Sequence, residues 1–141
     1  MNDVLKELYS VVLERKQIYA EGSYTCYLFK EGLDKILKKC GEECAETIIA
    51  AKNLAAVSDM EAAASQWELV HEKDKYLEGY AGKESMRARF DLENEICDLL
   101  YHLLVLMAQQ NVPLDAVENI LKERSRKIGN LKQARASDHD T

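Results

Sequence analysis

The sequence predicts an all-α fold of four to five helices per chain, and three observations predict it. Apolar residues recur three and four apart instead of alternating, as in Val4, Leu5, Leu8, Val11 and Val12. One proline and six glycines in 141 residues leave little punctuation for a multi-strand fold. Hydrophobic residues at 47% and charged residues at 31% suit a folded soluble domain and not a disordered tail.

In chain order, a first helix is expected from about Asn2 to Ile18. It is ended by "AEGSYTC", in which Ser23 or Thr25 can cap the next helix. A short helical segment from Tyr24 should end near Gly32. A long helix then runs from Leu33 to about Asn53, with Leu33, Leu37, Cys40, Cys44, Ile48 and Ala51 as its apolar stripe. Ser58 and Glu61 read as a capping box opening a separate helix through Trp67 and Val70 toward Tyr76, with Met60 on its packed face; "GYAG" stops it. A further helix is expected from Glu84 to Gln109, and Pro113 suits the first turn of a last one ending near Lys127. Residues 1–128 thus read as one domain, with 54–91 inserted between two main helices and 129–141 as a mobile polar tail.

Several classes are excluded by composition. The N-terminus is charged from its third residue and lacks the apolar core of a signal peptide. No apolar run reaches the roughly 18 residues of a membrane span. A net charge of −6 argues against coating nucleic acid. Four cysteines without a secretory leader read as reduced thiols of a cytoplasmic protein.

Two anomalies carry the chemistry. "GEECAETIIAA" crowds Glu42, Glu43 and Glu46 onto one helix, where like charges three and four apart repel. "EICDLLYHLLVLM" is apolar nearly all round, yet Glu95, Asp98 and His102 project within about 60° of one another. Each helix therefore offers an acidic pair at i, i+3, Glu43 with Glu46 and Glu95 with Asp98. Face to face, they make a four-carboxylate cluster of the oxygen-only kind that Mg²⁺ or Mn²⁺ prefers. The competing account of the first helix is a solvated face in which Glu42, Glu43 and Glu46 pair with Lys38 and Lys39. It leaves Glu95 and Asp98 unexplained.

The stretches "GSYTCYLFKEGLDKILKKCGEECAETIIAAKN" and "EICDLLYHLLVLM", preceded by "LYSVVLERK", resemble the all-helical nucleotide pyrophosphohydrolases, the MazG-like superfamily. Within it they are similar to the phosphoribosyl-ATP pyrophosphatase family of histidine biosynthesis. The resemblance covers more than a third of the chain. It implies a homodimer and Mg²⁺-dependent hydrolysis of a small-molecule nucleotide, phosphoribosyl-ATP, to phosphoribosyl-AMP and pyrophosphate. It carries metal ligation onto Glu43, Glu46, Glu95 and Asp98, with Glu42 as a further ligand or base. Which glutamate is the base cannot be read from spacing, so Glu42 and Glu43 both stand as catalytic candidates.

Lys35 and Lys39 share the acidic face and can meet phosphate oxygens; for Lys38, salt bridging to Glu42 is an equal account. Ser23, Tyr24 and Thr25 fall on the family's "SYT" and can touch ribose or phosphate, though capping explains Ser23 and Thr25 as well. Arg15, ahead of them, is a phosphate candidate or an ordinary exposed arginine. A thiolate site from Cys40, Cys44 and Cys97 is disfavoured, because all three fall where small apolar residues suit a bundle core. His102 reads as a buried, hydrogen-bonded histidine or as a group supporting a ligand. The chain departs from its family in the length between "AAKN" and the second acidic pair. That leaves a related hydrolase of (deoxy)nucleoside triphosphates as the rival function. A ferritin-like di-iron protein would need Glu-x-x-His, which His102 does not supply.

Overall fold

The structure, a computed structural model, describes residues 3–70 and 83–127, with residues 67–70 described as backbone only. Among the described residues there are five helices: α1 Val4–Gln17, α2 Tyr24–Glu31, α3 Leu33–Val70, α4 Lys83–Gln109 and α5 Leu114–Arg126. The all-α expectation is met.

Local chemistry sets the boundaries. The Asp3 carboxylate accepts from the Lys6 amide at 3.3 Å and caps α1, and the Ser23 hydroxyl accepts from the Cys26 amide at 3.2 Å and caps α2. Gly32, at φ 91°, ends α2 with its amide on the Leu28 carbonyl, and its own carbonyl receives the Ile36 amide of α3. Past the end of α4, Asn111 takes φ 56° while the Val112 amide reaches back to Met107, a left-handed helix cap. Lys16 Nζ seals that cap, bonding Ala108 O at 2.7 Å and Asn111 Oδ1 at 2.9 Å.

One expected boundary is absent. No separate helix starts at Ser58, because α3 runs on unbroken for 38 residues, about 57 Å at helical rise. "NLAAVSDM" contains neither glycine nor proline and is rich in good helix formers, so nothing terminates the helix there. Glu61 does cap, but across space: its Oε1 accepts the Ser85 amide in the first turn of α4 at 3.1 Å. Met60 is exposed and not packed. The expectations for Trp67, Val70, Tyr76, "GYAG" and the tail 129–141 lie outside the described residues and side chains.

The long helices run antiparallel. Thr47 Oγ1 meets Glu95 O at 3.3 Å and Cys40 Sγ meets His102 O at 3.6 Å, so residue numbers fall on one helix as they rise on the other. The seam has a 3–4 repeat. On α3, Ile36, Cys40, Glu43, Thr47, Ala50, Leu54, Val57, Glu61 and Ala64 face inward; on α4, Ser85, Ala88, Leu92, Glu95, Leu99 and His102 do. The expected stripe of α3 is thereby corrected: Leu37, Cys44, Ile48 and Ala51 are exposed in this chain. Placing Glu43 against α4 turns those residues away from the seam. The main core lies at one end of this hairpin, where Tyr9 and Val12 of α1, Leu28 of α2 and Ile36 of α3 pack on Leu104, Val105 and Ala108, with Leu114 beside them. No described helix is long and apolar enough to cross a membrane.

Candidate active site

The acidic site grows out of the seam. Glu43 occupies an inward position of α3 and retains only 5% of its exposure. Burying a carboxylate there is costly unless it is paired or coordinated. Lys39, one turn earlier, holds Glu43 Oε1 at 3.0 Å and Glu42 Oε2 at 3.0 Å with one ammonium group. Both carboxylates keep that ammonium protonated, raising the Lys39 pKa, and its hydrogen bond pulls the Glu42 pKa down. Across the seam, Glu95 and Asp98 rise from α4. Carboxylate oxygens of Glu43, Glu95 and Asp98 all lie within 4.8 Å of one another.

Glu95 records the strain of this crowding. Desolvation, and then the charges of Glu46, Asp98, Glu43 and Asp91, push its carboxyl above the usual range. Glu46 stands at the edge of the trio, exposed, and joins Glu95 in lining a cavity of about 300 Å³ with Ile49, Ala50, Asn53, Ala88 and Asp91. A divalent cation fits this donor set: three convergent oxygens on two helices, crowded negative charge at Glu95, and Glu95 itself on the wall of the cavity.

His102 lies beneath the cluster, 4% exposed. Its Nδ1 is 2.7 Å from the Asp98 carbonyl, which can only accept, so Nδ1 carries the hydrogen and Nε2 receives the Tyr24 hydroxyl at 3.1 Å. Glu43 Oε1 sits 3.7 Å from the same Nδ1. One imidazole therefore ties α2, α3 and α4 together at the site. Thr25 bonds Tyr101, next in the chain to His102.

The expected residues thus sort by how closely they approach the cluster. Glu43, Glu95 and Asp98 converge, with Glu46 and Glu42 as immediate neighbours and Lys39 on the cluster. Lys38 reaches Glu42 at 3.7 Å as a largely exposed ion pair, and Lys35 adds its field to Glu42 from one turn further off. Ser23 caps α2 and Tyr24 reaches the site through His102. Arg15 has its guanidinium 3.6 Å from Glu14 and its carbonyl receives the Cys26 thiol. Cys44 and Cys97 are exposed, against the expectation of core positions, and Cys40 alone of the three packs on the core. Asp91 and Asn53 line the site without standing out in the sequence. The available signal is spacing: Asp91 sits one helical turn before Glu95.

An all-α hairpin with convergent carboxylates at its seam presents an oxygen-only donor set of the kind hard divalent cations take. The sequence matches the phosphoribosyl-ATP pyrophosphohydrolase family over residues 5–125, and the chain belongs to that family. It is 41% identical to a phosphoribosyl-ATP pyrophosphatase of Clostridium novyi over 94% of this chain and 91% of that protein. A second, from Listeria monocytogenes, is 41% identical over 89% of this chain and 88% of its own length. The histidine biosynthesis bifunctional protein HisIE of Bacillus subtilis is 41% identical over 89% of this chain, which spans 44% of that longer protein.

Proposed function

We propose that the chain hydrolyses phosphoribosyl-ATP to phosphoribosyl-AMP and pyrophosphate, the second step of histidine biosynthesis, in the cytoplasm. The observation that carries this reading is the convergence of Glu43, Glu95 and Asp98 across the seam, in a chain that matches the family along most of its length. These three, with Glu46 beside them, would hold Mg²⁺, for which Mn²⁺ can substitute. A bound divalent cation supplies neutralisation of phosphate charge during water attack on the α–β anhydride.

The remaining work belongs to the chain's own groups. Lys39 is committed to Glu42 and Glu43 at 3.0 Å each. Phosphate oxygens entering the site compete for its ammonium. As Lys39 transfers to them, Glu42 loses the hydrogen bond that most depresses its pKa and gains basicity, with Lys38 and Lys35 still nearby. Glu42 then accepts the proton of the attacking water, while Glu43 stays buried at the seam. Lys38 and Lys35 add positive field on the same helix face.

The same reading makes the protein a homodimer. Leu37 and Ile48 of α3, with Ile96, Leu100 and Leu103 of α4, form apolar rows that a single chain leaves exposed, and a second copy is the covering surface that suits them. Pyrophosphate release measured on phosphoribosyl-ATP and on a panel of deoxynucleoside triphosphates tests the assignment. Turnover confined to, or strongly favouring, phosphoribosyl-ATP supports it; preference for a deoxynucleotide assigns the chain to the house-cleaning hydrolases instead.

A further inference from the structure

A cavity of about 380 Å³ opens along α2 and the turn before it, lined by Tyr19, Gly22, Ser23, Tyr24, Tyr27 and Lys30. Its volume is that of a small-molecule site. Three of its six lining residues are tyrosines left 75%, 44% and 42% exposed at Tyr19, Tyr24 and Tyr27. Tyr24 and Tyr27 stack with ring centroids 6.0 Å apart. Gly22, at φ 75°, turns the backbone here, and a side chain built on it would meet nothing within 4 Å, so the turn leaves the space open.

Tyr24 joins this cavity to the chemistry. Its ring forms part of the cavity wall, while its hydroxyl bonds His102 Nε2 at 3.1 Å; the far side of that imidazole is 3.7 Å from Glu43. The Tyr24 ring is thus separated from the carboxylate cluster by one imidazole, a spacing that the ribose of a nucleotide can span. On α2, one turn past Tyr27, Lys30 stands at the cavity and, among the described residues, forms no ion pair within 4.0 Å.

We propose that this tyrosine cavity is the purine subsite, with Lys30 receiving the second ribosyl phosphate that distinguishes phosphoribosyl-ATP from ATP. The proposal rests on the phosphoribosyl-ATP reading for its substrate and adds the residues that select it. The tyrosine rings offer π-faces to the adenine, and the ammonium offers a charge-assisted contact to a phosphate beyond the base.

The test measures binding as well as turnover. Calorimetric affinity for ATP with Mn²⁺, together with KM and kcat for phosphoribosyl-ATP, would be compared in wild type, Tyr27→Leu, Tyr27→Phe and Lys30→Gln. Tyr27→Leu should weaken ATP binding and raise KM for phosphoribosyl-ATP about tenfold or more, with kcat within about twofold, and Tyr27→Phe should recover most of that loss. Lys30→Gln should weaken phosphoribosyl-ATP several-fold more than ATP. Affinities within twofold of wild type in both Tyr27→Leu and Lys30→Gln would overturn the subsite. If wild type binds ATP but turns over no phosphoribosyl-ATP, the proposed function fails, and the ATP series alone decides whether the tyrosines hold the purine.

Discussion

At the scale of single residues, the site is an electrostatic imbalance held in place by one lysine and one histidine. Glu95 shows it most plainly, since burial and four neighbouring carboxylates raise its pKa. An acid with a raised folded-state pKa binds more protons folded than unfolded, so its share of stability is lost as pH climbs through and above the ordinary carboxylate range. Glu95→Gln removes the charge and the penalty with it. In cation-free buffer its melting temperature should therefore rise relative to wild type as pH goes from 4 to 7; a constant difference between the two proteins would contradict desolvation and crowding as the cause. Lys39→Met addresses the other partner. It should raise KM for the nucleotide or lower kcat, by no more than a few kcal/mol for one charge-assisted contact, while Mn²⁺ still binds in a titration. Kinetics equal to wild type would leave Lys39 as a surface salt bridge.

At the scale of elements, the decisive object is the α3–α4 hairpin. Its far end is fastened by Glu61 accepting the Ser85 amide. Glu61→Ala should cost about 0.5–2 kcal/mol, the usual worth of a cap, seen as a lower melting temperature with helicity retained before the transition; an unchanged melting temperature would make the contact dispensable. Helix identity, the two acidic pairs and the α2 cap are legible in sequence, because each rests on local spacing or a local breaker. The seam is not. Its inward positions on α3 include Cys40, Glu43, Thr47 and Glu61 among the apolar ones, so the most apolar stripe points the other way. The unbroken run of α3 escapes a sequence reading for a related reason. Ser58 and Glu61 satisfy a local capping pattern, but no glycine or proline stops the helix before them, and Glu61 finds its amide on a different helix.

At the scale of the whole molecule, one hairpin serves two faces. Inside, carboxylates replace core residues at the seam; outside, Leu37, Ile48, Ile96, Leu100 and Leu103 are exposed. Sedimentation equilibrium should find twice the mass of a 16.1 kDa chain, and Ile48→Lys with Leu100→Lys should shift that population toward monomer; a monomeric wild type would remove the proposed dimer. In the proposed function the seam carboxylates hold the cation on which hydrolysis depends. The most direct test of that claim is Mg²⁺-dependent pyrophosphate release from phosphoribosyl-ATP by wild type, Glu46→Gln and Asp98→Asn side by side. The expected result is strong release by wild type and a fall of about a hundredfold or more in each variant, with the helical fold intact. Near-normal turnover in both variants would contradict the claim.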